Sequence, residues 1–133
     1  MNSIYILSSD TPLLESLNTL FSRAGFVVTL FLEPQSLLER LVEEQPNCIL
    51  AEGLSLKTAN KLLIENIHDK APNLPIVMVA AGDDISVAVE AIRNGAIDFV
   101  QKPIIDRVLI ECVKKVILKP DKSMRSWRPI DPS

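Results

Sequence analysis

The chain has 133 residues, of which 47% are hydrophobic and 23% charged, which is typical of one soluble globular domain. Its formal net charge of −3 argues against binding nucleic acid through charge alone. No apolar run approaches the roughly 20 residues that span a bilayer. The first residues show no basic region followed by a long apolar stretch, so no secretion signal is expected. These features predict a cytoplasmic protein without a membrane partner.

The cysteines, histidine and glycines limit the possible chemistry. Cys48 and Cys112 lie in apolar segments, which predicts reduced core thiols rather than a disulfide. With a single histidine, His68, and no Cys-x-x-Cys pair, a zinc site is not expected. Four glycines are too few for a glycine-rich phosphate loop.

The first half of the chain alternates strand-like and helix-like segments. Residues 4–7 form an apolar run that predicts a first strand, and Asp10 or Thr11 caps the helix that follows. Gly25 ends this helix, and residues 26–31, rich in β-branched and aromatic side chains, predict a second strand. A second helix begins at Pro34 and is broken by residues 46–47. Its predicted inward face consists of Leu37, Leu38, Leu41 and Val42.

The second half continues the alternation. Residues 48–51 predict a third strand and residues 58–71 a third helix, whose predicted apolar face consists of Ala59, Leu62, Leu63 and Ile67. Residues 76–80 are the most continuous apolar run, which is typical of a strand buried on both faces. Asp84 or Ser86 caps a fourth helix, and residues 94–95 end it.

The last elements are a fifth strand at residues 97–100 and a final helix ended by Pro120. Its predicted buried positions are Val108, Leu109, Cys112, Val113, Val116 and Ile117. Five strands alternating with five helices predict an α/β protein with a doubly wound, five-stranded parallel sheet. One domain is expected over residues 1–119, and residues 120–133, with three prolines, form a linker or disordered tail. The functional crevice of such sheets lies beyond the carboxyl ends of the strands.

Three segments near the fourth and fifth strands carry a family resemblance. Residues 75–79 (PIVMV), 89–92 (VEAI) and 94–103 (NGAIDFVQKP) together resemble the receiver domains of bacterial response regulators, especially those attached to helix-turn-helix output domains. The resemblance covers residues 1–119 and implies the flavodoxin-like (βα)5 receiver fold. It also implies a switch in which a histidine kinase phosphorylates an aspartate at the end of the third strand, beside Mg²⁺.

Matched position by position, much of that chemistry is replaced. The acidic pair that would hold Mg²⁺ falls on Ser8 and Ser9, and the phosphoacceptor falls on Glu52. Neutral hydroxyls do not offset the dehydration of Mg²⁺, so its binding is expected to be weak or absent and no cofactor is predicted. Lys102 matches the family lysine and is expected to be the counter-ion of Glu52. Either Glu52 mimics the phosphorylated state or it fills a vacated pocket.

The remaining matched positions concern the switch. Ala80 stands where the family has a hydroxyl, and Phe99 holds the position of the aromatic that reorients. Pro103 follows Lys102, and this peptide bond is predicted to be cis, as in the family. Asp83 and Asp84 are interpreted as a cap and a solvated loop rather than metal ligands, and His68 as a surface residue.

The resemblance and the substitutions together predict a degenerate receiver, a pseudo-receiver, in two-component or phosphorelay signalling or in transcription regulation. It is not expected to be an enzyme. It is expected to act by binding a protein partner or by dimerisation. The expected surface is formed by the fourth helix, fifth strand and fifth helix, with Glu90, Arg93, Asn94, Gln101, Arg107, Glu111 and Lys114. DNA would be contacted only through an output domain beyond residue 133.

Two alternatives stay open. The first is a functional response regulator that accepts a phosphoryl group on a non-standard residue. The second is a flavodoxin-like protein that binds a small anion or flavin, since the hydroxyl-rich loop at residues 8–11 precedes a helix N-terminus. Aromatic residues make up only 5% of the chain, which argues against a stacked flavin.

Overall fold

The computed structural model describes residues 2–53, 57–80 and 85–118. Strands and helices alternate along the chain, and all strands are parallel in one sheet of order β2-β1-β3-β4-β5. The predicted α/β class and doubly wound five-stranded sheet are confirmed. The elements are β1 (Ser3–Leu7), α1 (Thr11–Arg23), β2 (Val27–Phe31), α2 (Pro34–Glu43), β3 (Cys48–Glu52), α3 (Lys57–Lys70), β4 (Ile76–Ala80), α4 (Ile85–Asn94), β5 (Asp98–Gln101) and α5 (Asp106–Leu118).

Apolar side chains cover both faces of the sheet. On one face the strands pack against α1 and α5, through buried residues such as Phe21 and Leu109. On the other face they pack against α2, α3 and α4, through residues such as Leu37, Ile67 and Ala91. β3 and β4 are buried along most of their length, which explains their uninterrupted apolar sequences. Among the described residues, no helix combines the length and apolar character needed to cross a membrane.

The ends of α1 follow the capping signals in the sequence. The Asp10 side chain accepts a hydrogen bond from the Leu13 amide at 3.2 Å, so Asp10 is the N-cap. Gly25 follows the C-cap Ala24 with a φ of 93°, the left-handed conformation that glycine adopts without a Cβ clash. At α4, Ser86 lies inside the helix, so of the two predicted caps it is not the one. Asp84 lies outside the described residues.

The predicted inward face of α3 is partly wrong. Leu63 and Ile67 are buried as predicted, but Leu62 is 57% exposed, and the fully buried Ile64 was not predicted. The observed face runs through Asn60, Leu63, Ile64 and Ile67, at helical spacing. The first position of this face is the polar residue Asn60. A prediction that used only apolar residues therefore placed the face too close to Leu62.

Two further predicted core positions are also wrong. Val42 is 74% exposed and Val108 is 47% exposed. Each precedes or follows a buried leucine, Leu41 or Leu109, and successive helical residues are rotated by roughly 100° about the axis. Val42 and Val108 therefore lie outside the buried faces of their helices. Cys112 and Ile117 are partly buried and pack against the core, while Leu109, Val113 and Val116 are buried as predicted.

His68 is not the plain surface residue that was predicted. It is half-buried, and its Nε2 lies 3.1 Å from the Leu74 carbonyl oxygen. Its ring also lies beside Gly95, which ends α4 with a φ of 121°. A Cβ on Gly95 would lie 3.0 Å from two ring atoms of His68. Gly95 therefore allows the positive φ at the end of α4 and also leaves room for the His68 ring where α3 meets α4.

A matched pair of glycine variants separates these two requirements. We expect Gly95→Ala to lower the free energy of unfolding by roughly 1–3 kcal/mol, because it combines backbone strain with the His68 clash. Gly25→Ala should cost less, since nothing lies within 4 Å of a Cβ there. Urea denaturation of both variants measures the difference, and equal losses would contradict the packing role of His68.

Candidate functional site

The carboxyl ends of the parallel strands bring the matched positions to one edge of the sheet. Ser8 follows β1, Glu52 ends β3, Ala80 ends β4, and Lys102 follows β5. Glu52 is in register with Val79, and Ala80 with Gln101, so these positions stand side by side. A cavity of about 340 Å³ opens beside Glu52. It is lined by Leu7, Ser8, Ser9, Leu32, Pro34, Glu52 and Gly53.

The Glu52 carboxylate is bound by two donors from different parts of the chain. Lys102 Nζ donates a hydrogen bond to Glu52 Oε2, which forms the predicted ion pair. Ser8 Oγ donates to Glu52 Oε1 at 2.5 Å. The side chains of Lys102 and Glu52 are 32% and 18% exposed, so water screens the pair only in part. The charges of the matched positions therefore cancel within the crevice.

Ser8 connects this pair to the start of α1. Its side chain is 3% exposed, and its Oγ accepts a hydrogen bond from the Asp10 amide at 2.9 Å while donating to Glu52. Ser8 was predicted only as a lost metal ligand, and its role as a donor to Glu52 was missed. This contact depends on β1 and β3 being neighbours that end at the same edge of the sheet, which the residue type alone does not indicate.

The environment lowers the pKa of Glu52. Burial raises the pKa of this carboxyl, but the hydrogen bonds from Lys102 and Ser8 and the charge of Lys102 lower it by more. Its pKa therefore lies below the ordinary value of 4.5. Glu52 is a carboxylate at neutral pH, as the ion pair requires.

The switch positions lie near the pair without adding a hydroxyl. The Lys102 amide donates to the Ala80 carbonyl oxygen at 2.9 Å, which ties the chain after β5 to the end of β4. The Lys102–Pro103 peptide bond is cis, as predicted. Phe99 is partly buried and packs against the core on the α2–α4 face. Asp83 lies outside the described residues.

The donor set does not fit the Mg²⁺ that the family implies. Ser8 and Ser9 supply neutral oxygens, and both oxygens of Glu52 already accept hydrogen bonds. Over residues 2–53, 57–80 and 85–118, no cluster of three or more His, Cys, Asp or Glu side chains is placed to hold a metal ion. Mg²⁺ requires near-octahedral oxygen ligands, usually including one or two free carboxylates.

Both cysteines are free thiols, as predicted. Burial raises the pKa of the Cys48 thiol, and it raises the pKa of Cys112 to about 12 with a further contribution from the Asp98 carboxylate. Cys112 Sγ donates to Asp98 Oδ2 at 3.2 Å. Because thiols are nucleophilic only as thiolates, neither cysteine is suited to attack a substrate at neutral pH.

The predicted interaction residues form a partly exposed surface. Arg93, Gln101, Arg107, Glu111 and Lys114 are exposed, whereas Glu90 and Asn94 are half-buried. Arg107 Nε lies 3.9 Å from Glu111 Oε1, an exposed pair within α5. Four exposed apolar residues were not predicted as part of this surface. Val89 and Ile92 lie on α4, Ile105 lies just before α5, and Val108 lies on α5.

The fold and the matched crevice define the class of protein. Residues 4–114 match the family model of the response regulator receiver domain, and the chain belongs to that family. This confirms the resemblance seen in the sequence at the level of the family.

Individual relatives are more distant. The chain is 29% identical over 123 residues to the transcriptional regulatory protein FixJ of Bradyrhizobium diazoefficiens, covering 92% of this chain and 60% of that protein. It is 27% identical to FixJ of Rhizobium meliloti, covering 85% of this chain and 55% of that protein. The chain thus spans little more than half the length of these relatives.

Solved structures agree with this assignment. Full-length FixJ from B. japonicum superposes with a TM-score of 0.80 at 29% identity, covering 94% of this chain and 62% of that one. A CheY-like receiver domain from Methanospirillum hungatei JF-1 has a TM-score of 0.80 at 22% identity, covering 92% and 98% of the two chains. The latter likeness supports the fold alone.

The lowered pKa of Glu52 predicts a pH-dependent contribution to stability. Because the folded pKa lies below the unfolded value, the contribution is complete above pH 4.5 and is lost as the pH falls through the folded pKa. Glu52→Gln should lower the free energy of unfolding at pH 7 by about 1–3 kcal/mol. Its deficit relative to the wild type should shrink in acid.

Urea denaturation between pH 7 and pH 3 measures this difference, with Glu15→Gln as the control for removing an exposed carboxylate from α1. A deficit for Glu52→Gln that stays constant across the range would contradict the assignment of the lowered pKa to the ion pair.

Proposed function

We propose that this chain is a receiver module that transmits signals by binding proteins and is not itself phosphorylated. The observation that supports this most strongly is the state of Glu52. Its two oxygens accept hydrogen bonds from Lys102 and Ser8, so the carboxylate at the phosphoacceptor position is already bound. Attack on a phosphorus atom by either oxygen would have to compete with the hydrogen bond that this oxygen already accepts.

The surrounding side chains support the same conclusion. Phosphoryl transfer depends on positioned cations and donors that stabilise charge on the transferred group. Here the charge of Lys102 is neutralised by Glu52, and the acidic pair is replaced by Ser8 and Ser9. Ala80 provides no hydroxyl to bind a phosphoryl oxygen. The ion pair favours one fixed conformation over a phosphorylation switch.

The proposed partner surface is the α4–β5–α5 face, defined by the exposed residues of α4, β5 and α5 together with Ile105. It combines apolar side chains such as Val89 and Ile92 with charges of both signs, Arg93, Arg107 and Glu111. Exposed apolar groups within a polar rim are typical of protein interfaces. Because the face carries both positive and negative charges, it suits a second copy of this chain in a homodimer.

The relatives suggest the pathway. FixJ of B. diazoefficiens is named a transcriptional regulatory protein and is longer than this chain. We therefore propose a cytoplasmic role in transcription regulation, with any DNA contact made by a segment beyond residue 133. The flavin alternative gains no support from the cavity beside Glu52, since none of the described residues that line it is aromatic.

Incubation with acetyl phosphate and MgCl₂ tests the absence of phosphorylation. We expect the mass of the wild-type protein to stay unchanged, because Glu52 is engaged and the site lacks its acidic pair. A variant combining Ser8→Asp, Ser9→Asp, Glu52→Asp and Ala80→Thr restores the family residues and serves as the positive control. A gain of one phosphoryl group by the wild type would overturn the proposal.

Paired aspartate substitutions test the surface. Ile92→Asp should weaken self-association at least about tenfold, because it places a charge among the apolar side chains of the face. Val42 is also an exposed apolar residue, but it lies on α2, outside the face. Val42→Asp should therefore leave self-association unchanged. Sedimentation equilibrium measures both variants. A wild type that remains monomeric at high concentration, or equal effects of both substitutions, would contradict the homodimer.

A further inference from the structure

The hydrogen bonds around Glu52 form one continuous chain across the edge of the sheet. The Asp10 amide donates to Ser8 Oγ, Ser8 donates to Glu52 Oε1, and Lys102 donates to Glu52 Oε2. The residues at its two ends are separated by most of the domain in sequence. The chain of bonds therefore joins the start of α1, the end of β3 and the segment after β5.

The backbone of Lys102 connects a further strand, β4, to these hydrogen bonds. Its amide donates to the Ala80 carbonyl oxygen at 2.9 Å, at the end of β4. Next to it, the Gly53 amide donates to the Val79 carbonyl oxygen at 2.6 Å. Lys102 thus contacts β3 with its side chain and β4 with its main chain, so its position is fixed from two directions.

We infer that this crevice has exchanged a divalent cation for an internal cross-link, in which the Lys102 ammonium and the Ser8 hydroxyl together bind the Glu52 carboxylate and hold the ends of β1, β3 and β5 without a metal. Lys102 supplies the positive charge, and Ser8 is the positioning residue that orients the carboxylate. This rests on the proposed function in one respect, that no phosphoryl group competes for Lys102.

Burial and charge explain why the crevice needs no metal when Ser8 stands in place of an acidic residue. Ser8 is 3% exposed, and its hydroxyl both accepts and donates, so it carries no unsatisfied polar group. An aspartate at this position would place a second carboxylate against Glu52 and leave one lysine to neutralise two charges. With serine, the one positive charge of Lys102 balances the one negative charge of Glu52, and no further cation is needed.

Two measurements on the full chain test the cross-link. The first is the thermal midpoint with and without millimolar MgCl₂, which should be the same for the wild type, since ligand binding to the folded state would raise it. The second is amide hydrogen exchange by NMR. Lys102→Met should speed exchange of the Asp10 amide by about tenfold, the effect of losing a hydrogen bond to a charged group.

The controls separate the cross-link from a general loss of stability. Lys61→Met removes an exposed lysine on α3, outside the proposed partner surface, and should leave exchange at Asp10 unchanged. Glu52→Gln keeps the shape of the side chain and should speed exchange at Asp10 as well, which covers the case in which Lys102→Met does not fold. Ser8→Thr retains the hydroxyl and should preserve slow exchange, whereas Ser8→Ala should not.

Either of two results would overturn the cross-link: a higher thermal midpoint of the wild type in MgCl₂, or unchanged exchange at Asp10 when Lys102 and Glu52 are substituted in turn. The acetyl phosphate experiment reports separately. A protein that resists acetyl phosphate but is stabilised by Mg²⁺ overturns this inference alone. A protein that takes up a phosphoryl group but does not respond to Mg²⁺ overturns the proposed function and limits the cross-link to the unphosphorylated protein.

Discussion

The Glu52 carboxylate lies at the carboxyl end of β3, where a parallel sheet brings the ends of its strands together. It needs a positive charge and hydrogen-bond donors there, because it is largely removed from water. Lys102 and Ser8 provide both. The proposed metal-free and unphosphorylated state of the domain depends on the charge balance at this edge.

The rest of the fold provides the rigid frame for this balance. Apolar side chains cover both faces of the sheet, so the strand ends are positioned by a core that does not depend on the crevice. In the same frame α4 and α5 cover opposite faces of a sheet whose edge strand is β5, and Ile92 and Val108 are left exposed. The two hydrogen bonds accepted by Glu52 and the unburied apolar groups on the surface support the proposal that this module acts by recognition.

Much of the fold could be predicted from the sequence, because local signals and burial agree along most of the chain. Asp10 and Gly25 cap α1 as their chemistry requires, and the apolar run of β4 corresponds to burial on both faces. The errors have a common cause. Three apolar residues are exposed, Leu62, Val42 and Val108, and the polar residue Asn60 is buried. A prediction from hydrophobicity alone therefore assigned parts of the helix faces incorrectly.

The candidate site was predictable only in part. The pairing of Glu52 with Lys102 followed from matching both residues to crevice positions of the receiver family, and the ion pair is present in the structure. The part played by Ser8 was not predicted, since a serine in place of an acid shows only what is lost. Its new contact depends on the direction of the side chain and on the distance between β1 and β3, which become known only when the chain is folded.

The most direct measurement of the charge balance is the ¹³C NMR titration of the Glu52 side-chain carboxyl, with and without millimolar MgCl₂. An internal ion pair predicts a pKa below 4.5 that is the same in both conditions. A pKa at or above 4.5, or a titration curve that moves when Mg²⁺ is added, would show that Lys102 and Ser8 do not hold this carboxylate.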